Sequence, residues 1–177
     1  MAATVLIKEM TASQSGYDKS SGNRSTTIRF KSVGATIVDT ANRPRVPSSG
    51  SIYTCWKQLR LYASVGPSVD LQNLKAYVGT GGKGGAADFG QGVQTKFDSC
   101  ASTVQTYITP ASTNITGSNL WDRISTYPIN LGAGLASTAW YSTGFKGKML
   151  RLQLGIDEDA SAGTLNATPL VFSYDET

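Results

Sequence analysis

The 177-residue sequence contains no histidine. Imidazole is the usual general base beside a nucleophilic serine or cysteine, and it is a common ligand of zinc and iron. Its absence excludes Ser-His-Asp and Cys-His nucleophiles and every histidine-ligated metal site. Chemistry based on paired carboxylates, lysine or tyrosine stays open. We expect a protein that is not an enzyme and that binds no cofactor or metal.

Cysteine is almost as scarce, since the chain has only Cys55 and Cys100. No C-x-x-C spacing is present, so a cysteine-based metal site is not indicated. We expect two buried thiols in a reducing compartment, with a single disulfide as the alternative.

Long apolar runs are also missing. No stretch of 18 or more apolar residues occurs, and the N-terminal sequence M-A-A-T-V-L-I-K-E-M lacks the basic and apolar regions of a signal peptide. We therefore expect no membrane association and a chain that folds inside the cell that makes it.

Small and hydroxylated residues dominate the composition. The sequence has 20 serines, 20 threonines and 19 glycines, and only 16% of its residues are charged. Threonine, valine, isoleucine and tyrosine favour strands, whereas glutamate, a good helix former, occurs three times. This balance predicts an all-β protein with many turns.

Charge is unevenly spread along the chain. Residues 1–60 carry nine basic and three acidic residues, whereas residues 151–177 carry one basic and five acidic residues. The asymmetry is consistent with a solvated surface, or with attraction between neighbouring copies.

Alternation of apolar and polar residues predicts eight to ten short strands and no long helix. We expect them to form a single-domain β-sandwich, jelly-roll-like, over residues 25–177, preceded by an N-terminal strand and arm over residues 1–24. A loop with two prolines precedes the long strand at Tyr53–Val65. The clearest predicted strands are Thr4–Met10, Tyr53–Val65, Leu71–Val78, Gln91–Cys100, Lys148–Ile156 and Pro169–Tyr174.

The string Gly79-Thr80-Gly81-Gly82-Lys83-Gly84 matches the G-x-G-x-x-G pattern of dinucleotide-binding turns. That pattern needs a helix directly after the glycines, to face the pyrophosphate. The residues that follow are too rich in glycine for a helix, and a strand is predicted soon afterwards. We interpret Gly79–Gly90 as a flexible loop that touches a partner, as we do Gly132–Gly147.

Acidic residues cluster in two places. Asp157-Glu158-Asp159 lacks the spacing of a calcium-binding EF-hand loop, so a solvated turn is favoured. Asp175 and Glu176 could pair with basic residues of a neighbour, or form a frayed end. The sequence nominates no carboxylate pair for glycoside hydrolysis.

Aromatic residues outside the predicted core could form a contact surface. Trp56 fits the core, whereas Trp121, Trp140 and Tyr141 lie in loop-like contexts and suit contact with another subunit. Nucleic-acid binding would need basic residues interleaved with them, and most basic residues lie elsewhere in the sequence. We expect no nucleic-acid partner.

Two segments resemble small structural proteins encoded among the virion genes of tailed bacteriophages. One contains Gly66-Pro67 and Gln72-Asn73-Leu74-Lys75. The other contains Leu152-Gln153-Leu154, Ala160 to Gly163 and Ser173-Tyr174-Asp175-Glu176. The resemblance covers roughly residues 28–177, but Asp157-Glu158-Asp159 and the expanded glycine loop are not features of that group.

The resemblance implies a decoration, or cement, protein on the capsid surface of a virion, made in the host bacterial cytoplasm. Its partners would be the major capsid protein and neighbouring copies of itself, most often as a homotrimer. A tail or neck component and a carbohydrate-binding module are the alternatives. The candidate contact residues are Arg43, Arg45, Lys83, Trp121, Trp140, Tyr141, Asp175 and Glu176.

Overall fold

The structure is a computed structural model. It describes residues 4–10, 30, 43–65, 71–79, 93–100, 118–123, 125–132, 144–161 and 169–176. Within these ranges the chain consists mostly of strands in two antiparallel sheets, with one short 3-10 turn at Leu120–Asp122. The all-β class predicted from composition is confirmed.

The members of the first sheet are β1 (Thr4–Met10), β2 (Ser51–Tyr53), β3 (Lys57–Val65), β5 (Val93–Cys100), β6 (Ser118–Asn119) and β8 (Gly144–Asp157). Their order is β1-β3-β8-β5-β6, and β2 pairs with the C-terminal end of β8. The long strand β8 therefore lies at the centre of the sheet, with partners on both sides.

The second sheet has three strands in the order β7-β4-β9. These are β7 (Ile129–Asn130), β4 (Leu71–Val78) and β9 (Leu170–Glu176). Along β4 the buried positions alternate with exposed or half-buried ones from Leu74 onward, so one face of this sheet is turned inward.

One hydrophobic cluster contains side chains from both sheets. The first sheet contributes leucines of β3 and β8 and Phe97 of β5, and the second contributes the inward row of β4. The principal members are Leu59, Leu61, Leu150, Leu152, Leu71, Leu74, Ala76 and Val78. A smaller cluster at the far end of β8 joins Leu154, Ile156 and Ala160.

Most of the predicted strands are confirmed, with some changed ends. The segments Thr4–Met10 and Leu71–Val78 form strands with those bounds. The last strand continues through Asp175 and Glu176. The sequence pattern also predicts strands around Ile28–Val38 and at Val104–Thr109. Both lie outside the described residues except for Phe30, which packs against both clusters.

Two predictions about strand limits are wrong. The segment Tyr53–Val65 is broken, because residues 54–56 leave the regular pattern between β2 and β3. The loop predicted at Gly132–Gly147 ends earlier, because β8 already begins at Gly144. Alternation of apolar and polar residues indicates the limits of a strand only where the strand pairs regularly with its neighbours. Both of these segments contain irregular pairing.

An irregularity in β8 joins the two sheets. Leu59 pairs with Leu150, yet Leu61 pairs with Lys146, so β8 contains extra residues at this point. The backbone of Leu131 fills the gap: its N–H donates to Leu74 O at 2.8 Å, and its carbonyl accepts from Lys148 N at 2.6 Å. The chain after β7 therefore links β4 to β8 by backbone hydrogen bonds.

Gly147 makes this junction possible. Its φ is +66°, and a Cβ there would lie 2.8 Å from Leu131 O and 2.9 Å from Leu74 Cδ2. The Nε of Arg60 donates to the Gly147 carbonyl at 2.8 Å from the neighbouring strand. Only glycine combines this backbone angle with so close an approach.

The interior also holds a buried ion pair. Lys57 Nζ lies 2.6 Å from Glu9 Oε1, and both side chains are 3% exposed. Glu9 pairs in register with Leu59, and Lys57 with Leu152, so both charges lie on the side of the sheet that carries the core leucines. The pair fixes β1 to β3.

Polar contacts also bridge the break between β2 and β3. Thr54 exchanges hydrogen bonds with Leu154: its N–H donates to Leu154 O at 2.9 Å, and its hydroxyl accepts from Leu154 N at 3.1 Å. The Gln153 amide donates to Thr54 O at 3.0 Å. The irregular residues thus keep their backbone groups satisfied.

Gly147→Ala should destabilise the fold strongly. The left-handed backbone costs about 1–2 kcal/mol for alanine, and the added methyl group must displace the Leu131 backbone. We expect a loss of about 3 kcal/mol in the free energy of unfolding, measured by denaturant titration.

Gly50→Ala is the matched control, because Gly50 has the same φ of +66° but open space around it. It should cost about 1 kcal/mol. Equal losses for the two variants would show that the approach of Leu131 contributes nothing to stability.

Glu9→Gln should leave the buried Lys57 charge without its counter-ion. Breaking one side of such a pair costs about 3–5 kcal/mol, whereas an apolar replacement of both partners is often neutral. We expect a loss of about 3 kcal/mol for Glu9→Gln, and less than about 1 kcal/mol for the double variant Glu9→Leu with Lys57→Met, in the same titration. A double variant as unstable as Glu9→Gln would contradict this explanation.

Candidate interaction surface

Tyr127 is the most exposed large apolar side chain in the described part of the chain, at 69%. It lies in the turn formed by residues 125–128, between the short 3-10 turn and β7. Ser125 and Thr126 before it are exposed, and Pro128 after it is half-buried. We call this segment the Tyr127 turn.

Contacts with the rest of the fold hold the Tyr127 turn at both ends. Before it, the Arg123 carbonyl accepts from Val78 N at 2.7 Å, and the Arg123 guanidinium lies 5.2 Å from the centre of the Phe97 ring. After it, Ile129 and Leu131 are 5% and 1% exposed in the core cluster. The fold therefore presents Tyr127 on a short, anchored turn.

A tyrosine in this setting is suited to binding. Its ring offers a large apolar face that loses little conformational entropy on contact, and its hydroxyl donates and accepts hydrogen bonds. The polar flanking residues keep the surrounding surface hydrated. The arrangement therefore fits a contact with a protein surface or a sugar ring.

Arg43 and Arg45, two of the candidate contact residues, are both exposed. They belong to the predicted loop with two prolines, and the structure confirms an irregular segment there. Val46 anchors it by packing against the small cluster at the far end of β8. The two guanidinium groups consequently lie near that end of the molecule.

The acidic residues 157–159 lie at the same end. Asp157 closes β8 and accepts a hydrogen bond from Ser51 Oγ at 2.5 Å, and Glu158 accepts from Gly50 N at 2.6 Å. The turn predicted there is confirmed. Among the described residues no group of three or more acidic or cysteine side chains could hold a metal ion.

Asp175 and Glu176 form the end of β9. They pair in register with Gln72 and Leu71, and the Asn73 amide donates to Asp175 Oδ2 at 2.6 Å. Asn73 has a φ of +52° at an irregular position in β4, which this contact stabilises. Both acids are exposed, but within a paired strand, so the frayed end considered above is wrong.

The acids of the C-terminal segment are thus divided between two places. Residues 157–159 lie at the end of β8 against which Val46 packs, whereas Asp175 and Glu176 pair with the start of β4. The acidic residues that give the sequence its charge asymmetry therefore do not form a single acidic surface.

Cation–π contacts occur in and beside the first sheet. Lys8 Nζ lies 3.5 Å from the centre of the Tyr62 ring, and the Arg151 guanidinium lies 4.6 Å from that of Trp56. Arg60 lies 5.4 Å from the Phe145 ring. These cations thus contact rings of the same chain.

The remaining sequence candidates are only partly described. Trp121 lies in the 3-10 turn at Leu120–Asp122. Lys83, Trp140 and Tyr141 lie outside the described residues, as do the glycine loop that follows Gly79 and residues 11–24 of the arm. Cys55 is buried, at 2% exposure.

Sequence reasoning missed Tyr127. The available signal was Ser-Thr-Tyr-Pro within Trp121–Leu131, a segment whose pattern favours neither helix nor strand. Proline there favours an extended preceding residue, and polar neighbours favour a turn. The exposure of Tyr127 depends on which residues next to it are buried, and the alternation of apolar and polar residues alone does not predict this.

No protein-family model, curated protein or solved structure matches the chain. No helix in the described ranges is long and apolar enough to cross a membrane. The contacts of the chain itself are therefore the basis for a functional proposal.

Proposed function

We propose that this chain is a non-enzymatic structural protein of a tailed-phage virion, where it decorates the capsid surface. It binds the major capsid protein and neighbouring copies of itself and so stabilises the capsid lattice. The two segments that resemble phage structural proteins support this proposal. The location on the virion and the synthesis in the bacterial cytoplasm belong to the same proposal.

The finer architecture is also a proposal: a single β-sandwich of the jelly-roll kind. The support is the shared cluster, in which Leu61 and Leu150 of one sheet belong with Leu74 and Ala76 of the other. Face-to-face packing of this kind gives a stiff scaffold. A stiff scaffold suits a protein that must hold its contact residues in fixed positions on a lattice.

The observation that carries the proposal is the anchored exposure of Tyr127. Tyrosine is among the residues that most often dominate binding energy at protein interfaces, provided that it becomes desolvated in the complex. A rigid turn limits the entropy lost on docking. The 69% exposure of this side chain leaves most of its area available for burial.

Arg43 and Arg45 extend the proposed contact. Exposed charges at the rim of an interface guide association and orientation more than they add affinity. Their guanidinium groups would meet acidic capsid surface, together with Lys83. Trp121, Trp140, Tyr141, Asp175 and Glu176 remain proposed contacts with the capsid or with neighbouring copies, for which a trimer is the expected arrangement.

A carbohydrate-binding module is the second candidate, because an exposed tyrosine also stacks on sugar rings. A tail or neck component would use the same surface on another part of the virion.

Tyr127→Ala should weaken binding to empty capsids of the phage that encodes the chain. Truncating an interface anchor commonly costs about 2 kcal/mol or more, which corresponds to roughly thirtyfold in the dissociation constant. The measurement is co-sedimentation of the purified chain with capsids over a range of concentrations. Thr126→Ala, an exposed neighbour in the same turn, should change the dissociation constant less than about threefold.

Unchanged capsid binding by Tyr127→Ala would remove the observation on which the proposal rests. A glycan array provides the complementary test. Saturable binding by the unaltered chain that is lost in Tyr127→Ala, without capsid binding, would favour the carbohydrate-binding module instead. Circular dichroism of both variants shows whether the fold is retained.

A further inference from the structure

Within the described residues, the strand β9 lies at the edge of the second sheet and pairs only with β4, with an irregularity in the pairing opposite Tyr174. Native proteins commonly protect such edges with proline, lysine or a bulge. Between Leu170 and Glu176 the sequence has neither proline nor lysine, and the irregular residue Asn73 lies in β4 instead.

Hydrogen-bond direction alternates along an antiparallel strand. Gly79 N donates to Pro169 O at 2.9 Å, so the backbone groups of residue 169 point toward β4. With the regular register that follows, residues 171 and 173 also point toward β4, and residues 170, 172 and 174 point to the other edge. That edge therefore offers the backbone donors and acceptors of residues 170, 172 and 174 to an added antiparallel strand.

The side chains of β9 also suit pairing. Leu170, Phe172 and Tyr174 form one inward row that packs against the core cluster, yet each remains half-buried. The corresponding row on the edge strand β1 ends in Glu9, whose carboxylate is bound to Lys57. The row on β9 is apolar at these three positions and ends in the exposed Glu176. An added strand would complete the burial of the three apolar side chains.

We propose that β9 pairs with β9 of a second copy of this chain, antiparallel and centred on Ser173. In this register Phe172 of each copy lies opposite Tyr174 of the other, and Leu170 lies opposite Glu176. Cross-strand aromatic pairs are favourable in sheets. The pairing joins the second sheet of one copy to the second sheet of the other. The result is one sheet of six strands, in the order β7-β4-β9 of the first copy and then β9-β4-β7 of the second.

The charge pattern selects both the partner and the direction. A parallel pairing in register would place Asp175 on Asp175 and Glu176 on Glu176, and like charges directly opposite one another are destabilising. The antiparallel pairing places these acids opposite Val171 and Leu170, at the two distant ends of the contact. The strand is thus complementary to itself in one orientation.

This inference does not rest on a role in a virion. When β9 of one chain pairs with β9 of another, neither strand has a free edge for a third chain, so the predicted species is a dimer. A trimer, expected from the resemblance, would need a different surface.

Cysteine cross-linking tests the register. At Ser173 the two copies face each other as a non-hydrogen-bonded pair, with about 4.5 Å between Cα atoms, which a disulfide can span. Ser173→Cys should therefore form a covalent dimer under mild oxidation, seen on a non-reducing gel. Val171→Cys is the matched control, because its two copies would lie four positions apart, roughly 13 Å, and should not cross-link.

Sedimentation velocity of the full chain tests the association itself. The unaltered chain should show a concentration-dependent dimer. Ser173→Lys should raise the dissociation constant about tenfold or more, because two lysines then face each other. Gln72→Lys, which adds the same charge at an exposed position of β4 away from this edge, should change it less than about threefold.

A monomer at all concentrations would overturn the proposal, as would a trimer unaffected by Ser173→Lys. Cross-linking of Val171→Cys as efficient as that of Ser173→Cys would overturn the register. Circular dichroism of each variant separates loss of pairing from loss of folding. None of these readouts involves capsids, so failure of the capsid proposal would leave them unchanged.

Discussion

The backbone of Leu131 is the constraint on which the arrangement of the two sheets depends. It bonds to Leu74 on one side and to Lys148 on the other, at the irregularity in the pairing of β8 with β3. A side chain on Gly147 would occupy the space that the Leu131 carbonyl needs. Because β4 is fixed to β8 here, the inward row of β4 meets the leucines of the first sheet in a single register.

Buried polar groups then fix the order of the strands. An apolar interior alone would tolerate β1 in more than one register, since a shift of two residues keeps the same side chains inward. The Glu9–Lys57 pair is satisfied in only one of these registers. Thr54 and Gln153 act similarly at the break between β2 and β3, where side-chain and backbone groups bond to one another. Polar groups here specify position, while the leucines supply most of the stabilisation.

The sequence predicted strands where alternation was regular, such as Leu71–Val78 and the core leucines of β8. Prediction from the sequence was wrong where the backbone is irregular because of tertiary contacts. The early start of β8 depends on Gly147, which reads as a loop residue in sequence. Tyr127 is exposed because Arg123 and Ile129 on either side of it are held by other elements. Asp175 and Glu176 resemble a frayed end until β4 is known to pair with them.

The two proposed surfaces lie on opposite edges of the same sheet. The Tyr127 turn leads into β7, and β9 forms the other edge, with β4 between them. Pairing through β9 would therefore leave both Tyr127 turns at the outer ends of a six-stranded sheet, where neither is covered. A dimer would then present two identical anchors at a fixed spacing. When a lattice offers sites at that spacing, the second contact forms at a high effective concentration, so a modest affinity for each site becomes a durable attachment.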